Sequence, residues 1–99
     1  MPQNPQQAVD VWKLIVKNDH QSFKTIVDSP GFDIDKTIAK NGLTPLMIAT
    51  SEQRAQILPI IFSKKPDVNK KDTFGKTAMH YAASNGDIAN LDLLIKYEN

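Results

Sequence analysis

The chain has 99 residues, 40% of them hydrophobic and 23% charged, and a formal net charge of +1. That composition excludes a disordered polyelectrolyte tail, and the near-neutral charge gives no strong field to steer a nucleic acid or a polyacidic partner. Cysteine is absent, which removes disulfides, thiolate zinc sites and thiol nucleophiles, and no apolar run approaches the roughly 20 residues of a membrane helix.

The opening Met-Pro-Gln-Asn-Pro-Gln-Gln lacks the basic and apolar regions of a signal peptide, so a cytoplasmic or nuclear location is expected by default. Asn4 followed by Pro5 and Gln7 reads as a helix start, with Asp10 as a rival cap. Ala8, Val11, Trp12, Ile15 and Val16 then continue one apolar stripe up to Asn18. Asp19 caps a second helix with Phe23, Ile26 and Val27 on its buried face, and Pro30-Gly31 stops it. His20, at that helix start, is expected to face solvent.

From Phe32 to Leu43 the helical period vanishes and Asn41-Gly42 marks a turn, which predicts an extended loop projecting sideways like a finger. Thr44 before Pro45, and Thr77 before Ala78, are N-caps of the next helices. Leu46 and Ala49, and later Met79 and Ala82, face neighbouring helices, the alanines letting backbones come close; Trp12 and Ile15 take these places at the start of the chain. A helix over approximately 55–63 contains Pro59, which has no N–H to donate, so it starts late, near Gln56, or kinks. A closing helix over about Ile88 to Tyr97 presents Leu91, Leu93, Leu94 and Ile95.

The stretch Gly75-Lys-Thr-Ala-Met-His-Tyr-Ala-Ala83 repeats the small and apolar positions of Gly42-Leu-Thr-Pro-Leu-Met-Ile-Ala-Thr50, and the offset between the two glycines is 75 − 42 = 33. Ile57, Ile60 and Ile61 follow Phe23, Ile26 and Val27 at an offset of 34, and Leu93 and Leu94 follow Ile60 and Ile61 at an offset of 33. Such a period means one helix-pair unit copied along the chain, each copy burying its apolar face against its neighbours. Three units result, approximately 4–35, 36–69 and 70–99. Asp33 to Gly42 is a step of nine and Asp67 to Gly75 a step of eight, so one finger carries an extra residue. Ile60, Ile61, Leu93 and Leu94 are the expected inter-unit core, while Leu91 and Ile95 suggest a sticky end through which the chain could self-associate.

These features together resemble the ankyrin repeat family, whose units carry Gly-x-Thr-Pro-Leu-His-x-Ala at the first helix and Gly-Ala-Asp-Val-Asn after the second. Gly75, Thr77, His80, Ala82 and Ala83 match in the third unit; Gly42, Thr44, Pro45, Leu46, Ala49 and Asp67-Val68-Asn69 match in the second. Met47 departs from the family His, Ala78 from Pro, and Gln53 and Lys65 from Gly. The resemblance implies an all-α ankyrin-repeat solenoid of stacked helix-turn-helix units with projecting finger loops. It implies a protein-interaction module without catalysis or cofactor, or alternatively the N-terminal regulatory or targeting domain of a larger enzyme or transcription regulator. It further implies that His80 hydrogen-bonds within its own repeat and to neighbouring loops. Asn69 resembles an asparaginyl-hydroxylase site of ankyrin repeats, against the plainer role of bonding loop backbone.

No catalytic triad, phosphate loop, paired-carboxylate motif or metal-ligand spacing is present in the sequence. Asp33 and Asp35 lack the further acidic ligands of a calcium loop, and Lys64, Lys65, Lys70 and Lys71 lie among Glu52, Asp67 and Asp72 as a solvated face, so no nucleic acid is expected. The family binds through finger tips and the concave face of the first helices, and the offsets of 34 and 33 align candidates there. Leu14, Ile48 and Tyr81 form an apolar column, unless Leu14 and Ile48 merely pack beneath the fingers. Lys17, Ser51 and Ser84 border it, followed by Asn18, Glu52 and Asn85. On the fingers Asn41 aligns with Phe74, Lys40 with Thr73, and Leu43 with Lys76. Replacing Tyr81 by Ala is expected to lower affinity for a protein partner of unknown identity by about 2 kcal/mol with little loss of stability.

Overall fold

A helix pair recurs three times in the computed structural model, which describes residues 11–98. The first pair is α1 (Val11–Val16) and α2 (His20–Val27), the second α3 (Pro45–Ser51) and α4 (Leu58–Ser63), the third α5 (Ala78–Asn85) and α6 (Ile88–Glu98). No strand forms among the described residues. The first helices stack in a row, α1 on α3 on α5, giving an elongated body of 44 × 26 × 24 Å. The predicted Asn4 cap lies outside the described residues.

Local chemistry accounts for the helix boundaries. Asp19 accepts the Ser22 N–H, and Thr44 accepts the Met47 N–H with Pro45 just inside the helix, where a missing N–H costs nothing. α4 begins at Leu58, so Pro59 falls in its first turn; the late start is observed and no kink is needed. At α5 the capping box uses His80 in place of Glu: the Thr77 N–H donates to His80 Nδ1 at 2.9 Å. That bond is the in-repeat role the family resemblance implied.

Ile15, Phe23, Ala49, Ile57, Ile61, Ala82 and Leu94 are fully buried, 0% exposed, and form the spine of the core. Leu93 departs from expectation: it is 38% exposed, and Ile60, its counterpart in the second unit, is only half-buried. One helical step turns about 100°, so when Leu94 points inward Leu93 lies on the flank. Ile26 is likewise half-buried beside buried Phe23 and Val27. Asp28 pairs with Lys24 at 2.7 Å and across units with Lys64 at 2.5 Å; these two hydrogen bonds hold its carboxyl at about 2, below the usual value.

The finger of the second unit closes where the Ile38 N–H meets the Leu43 carbonyl at 2.8 Å; in the third unit the Asp72 N–H meets the Lys76 carbonyl at the same distance. The first loop spans five residue steps and the second four, which locates the extra residue. Asn41 and Gly42 have φ of +68° and +73°, the left-handed pair that a tight hairpin turn demands. A Cβ on Gly42 would also lie 3.2 Å from the Thr73 backbone nitrogen, so this position is closed to a side chain twice over.

Turn hydrogen bonds correct the count in the first unit. The Asp19 N–H bonds the Leu14 carbonyl as Arg54 bonds Ala49 and Asp87 bonds Ala82. Leu14 therefore stands at the Ala49 position, one residue off the column with Ile48 and Tyr81, and it packs half-buried against the core.

A groove between the first helices and the fingers

A groove of about 540 Å³ lies between α1, α3 and the finger of the second unit. Trp12 and Val16, one helical turn apart on α1, form one wall; Ile48 and Glu52, one turn apart on α3, form the floor and far edge. Ala39, Lys40, Asn41 and Leu43 supply the finger wall. The lining is apolar except for Lys40, Asn41 and Glu52, which are exposed, and Glu52 lies 3.8 Å from Arg54.

Five residues aligned as candidates in the sequence, Lys40, Asn41, Leu43, Ile48 and Glu52, thus meet in one place. Trp12, Val16 and Ala39 complete it. The i, i+4 spacing of Trp12 and Val16, matching that of Ile48 and Glu52, was the signal that could have found the α1 wall. Ile48 is 6% exposed and serves as floor, and Leu14 lies outside the lining.

On the third unit the candidates separate by job. Phe74 is 67% exposed at the finger tip, with Thr73, Lys76 and Ser84 also exposed. Tyr81 is half-buried, and its hydroxyl donates to the Asp72 carboxylate, so its removal disturbs the finger as well as the surface. Asn85 donates its amide to the Thr50 and Ser51 carbonyls, both at 3.1 Å, and belongs to the joint between units. Arg54 does the same one unit earlier: Nε donates to the Ile15 carbonyl at 3.1 Å and a terminal nitrogen donates to the Val16 carbonyl. These donors reach carbonyls that end a helix and have no partner within it.

Asp72 is the residue that sequence reasoning missed, having been counted only as a charge. It is 7% exposed; Oδ1 accepts the Phe74 and Lys76 N–H groups at 2.8 and 2.9 Å, and Oδ2 accepts from Tyr81. The Tyr81 hydrogen bond chiefly holds the Asp72 carboxyl below its ordinary value, while burial and then Asp72 push the Tyr81 phenol up to about 12. Asp33 and Asp67 likewise serve their loops, accepting the Asp35 and Asn69 N–H groups at 2.9 and 3.0 Å. Lys64 pairs with Asp28 and Lys70 donates to the Asp35 carbonyl, so the lysine cluster is partly committed to joints between units. Among the described residues no acidic, histidine or cysteine cluster could hold a metal ion, and no helix is long and apolar enough to cross a membrane.

Stacked helix pairs joined by finger hairpins, with an apolar groove between the first helices and one finger, define a helical repeat protein. The chain belongs to the ankyrin repeat family: a family profile described as ankyrin repeats in three copies matches residues 11–99. It is 36% identical over 62 residues to the human transient receptor potential cation channel subfamily A member 1, covering 63% of this chain and 6% of the channel. It is similar, at a TM-score of 0.78 and 26% identity, to a chain in the solved complex of Bd0816 predatory endopeptidase from Bdellovibrio bacteriovorus with immunity protein Bd3460. That match covers 91% of this chain and 46% of the other. Ankyrin repeats generally mediate protein–protein interaction and are typically non-catalytic.

Proposed function

We propose that this array is a non-catalytic protein-binding module, acting in the cytoplasm or nucleus, that takes an apolar anchor of its partner into the groove beside Trp12. The second finger forms one wall of the site and Phe74 on the third finger extends the contact. The observation that carries this reading is the groove itself. A mostly apolar lining, whose polar members Lys40, Asn41 and Glu52 are exposed, resembles the core-and-rim anatomy of protein interfaces. Exposed aromatic side chains at such places often dominate binding energy, and both Trp12 on the groove wall and Phe74 on the finger are exposed. The solved neighbour supports the reading because its chain comes from a protein–protein complex.

The test is a quantitative pull-down from native cell extract read by mass spectrometry, comparing the wild type with Trp12→Ala, Phe74→Ala and the double variant. The expected result is one partner whose capture falls with each substitution, the double variant losing about 2 kcal/mol or more. Equal capture by a double variant with unchanged helix content would overturn the site.

A second reading, a regulatory or targeting module within a larger protein, is favoured by the human relative, of which a chain of this length covers 6%. A stop codon directly after Asn99 in the native reading frame would sink it.

A further inference from the structure

The charges around the groove are one-sided. Among the described residues its walls come from 11–18 and from the finger hairpin 38–43, which carry Lys13, Lys17 and Lys40 and no acidic side chain. Lys13 lies over the Trp12 ring, 5.8 Å from its centroid, where cation–π attraction keeps its charge beside the groove wall. Lys17, directly after Val16, and Lys40, within the lining, are both exposed, and no described residue forms an ion pair with Lys40.

The α3 side adds Glu52 as its one acid, and Glu52 lies 3.8 Å from Arg54. The Arg54 guanidinium is itself bound to the Ile15 and Val16 carbonyls, so a further positive charge sits at the end of the Trp12 wall. The next acids along the chain, Asp19 and Asp35, face their own loops and accept the Ser22 and Asp67 N–H groups. The near-neutral total of the chain therefore conceals a local excess of positive charge around an apolar cleft.

Apolar burial and charge do different work here. A volume of about 540 Å³ lies within the roughly 300–1,000 Å³ of sites that enclose a ligand, enough for more than one apolar side chain, whose burial supplies the affinity. Exposed ion pairs add little to affinity, but they speed encounter and reject a partner of the wrong sign.

We infer that the groove selects a peptide segment whose apolar side chains are flanked by carboxylates. The inference rests on the groove being the binding site. A segment with basic flanks would face Lys17 and Lys40 and find only Glu52, which Arg54 already adjoins. A nucleic acid brings negative charge but no aliphatic side chain to cover Ile48 and Leu43.

Trp12 is the single tryptophan and stands in the groove wall, so its fluorescence reports occupancy directly. The test titrates the full chain with three synthetic pools of short peptides that share a Leu-Phe centre and differ in their flanks: Asp and Glu, Ser and Gln, or Lys and Arg. A thymidine oligonucleotide is the fourth probe. The acidic pool should shift Trp12 emission at about tenfold lower concentration than the basic pool, and added salt should narrow that gap. Lys40→Glu should narrow it as well, whereas Lys96→Glu, on α6 outside the lining, should leave it unchanged. Equal response to the three pools, or a preference for basic flanks, overturns the inference while the groove reading stands. So does a preference that Lys40→Glu does not move in a chain of unchanged helix content, or an oligonucleotide that outcompetes the acidic pool. Trp12 emission indifferent to every pool overturns both.

Discussion

Tyr81, in the middle of α5, reaches out of its helix to donate its phenolic hydrogen to Asp72 at the base of the third finger. The other carboxylate oxygen of Asp72 accepts the Phe74 and Lys76 N–H groups, so one side chain fastens the hairpin both to itself and to the helix row. The matching positions one unit earlier are Ile38 for Asp72 and Ile48 for Tyr81. An apolar pair there does by packing what a hydrogen-bonded pair does here, and both isoleucines belong to or pack against the core.

The Tyr81–Asp72 bond gives stability a defined pH signature. Burial, and after it the bond to Asp72, raises the Tyr81 phenol from 10.0 to about 12 in the folded chain, so the stability tied to the neutral phenol is fully present below pH 10.0 and is lost as pH rises through about 12. Asp72 is shifted down, and its share is lost at the acid end, below the ordinary carboxylate value of 3.8. Urea midpoints measured from pH 9 to 12 should fall more steeply for the wild type than for Tyr81→Phe, which lacks the titrating group.

Arg54 should matter out of proportion to its surface position. Arg54→Ala removes the side-chain donor from the Val16 carbonyl and leaves the Ile15 carbonyl with only the Asn18 N–H, and is expected to cost about 1 to 3 kcal/mol in urea unfolding. Glu52→Ala, which removes only an ion pair with a 3.8 Å separation, should cost about 1 kcal/mol or less.

Thr50 and Asn90 form a buried polar pair whose value depends on both members. Thr50→Val alone strands the Asn90 amide and should cost about 1 to 3 kcal/mol, whereas adding Asn90→Ile should recover most of the loss. Asn90 Oδ1 is already buried without a hydrogen bond, and Ile57 holds the same position in the second unit. A double-mutant cycle with no coupling between the two positions would contradict this account.

Adjacent leucines on α6 separate core from flank. Leu94→Ala, at a site 0% exposed, should cost about 2 to 5 kcal/mol, while Leu93→Ala, at 38% exposure, should cost about 1 kcal/mol or less. Equal losses in thermal or urea unfolding would mean that the helix is rotated from its described orientation.

The repeat architecture was legible because a solenoid writes its period into the sequence, and Pro59, Thr44 and the Asn41-Gly42 turn each carry a backbone constraint that survives without tertiary context. Much of the groove was legible for the same reason, since Lys40, Asn41, Leu43, Ile48 and Glu52 sit at fixed places in the period. Trp12 and Val16 were harder, because a wall formed between two units depends on how one helix lies against the next. The roles of Asp72, Arg54 and Asn85 were hidden for a related reason. Residue type tells that a donor or acceptor exists, whereas its partner is fixed only once helix ends and hairpins are placed in space. Leu14 was misaligned by one residue because Asn18, rather than its successor, takes the left-handed turn conformation in the first unit, at φ +59°.

The fingers themselves are tied together: the Thr73 N–H donates to the Asn41 carbonyl at 2.8 Å, and Gly42 leaves room for that approach. Neighbouring tips therefore share a backbone hydrogen bond instead of standing as separate bristles. Phe74, next to Thr73 at the third tip, is thereby tied through backbone to Asn41, which lines the groove one unit away. Pulling the two tips apart breaks that bond, so slow exchange of the Thr73 amide is expected to report on both fingers at once.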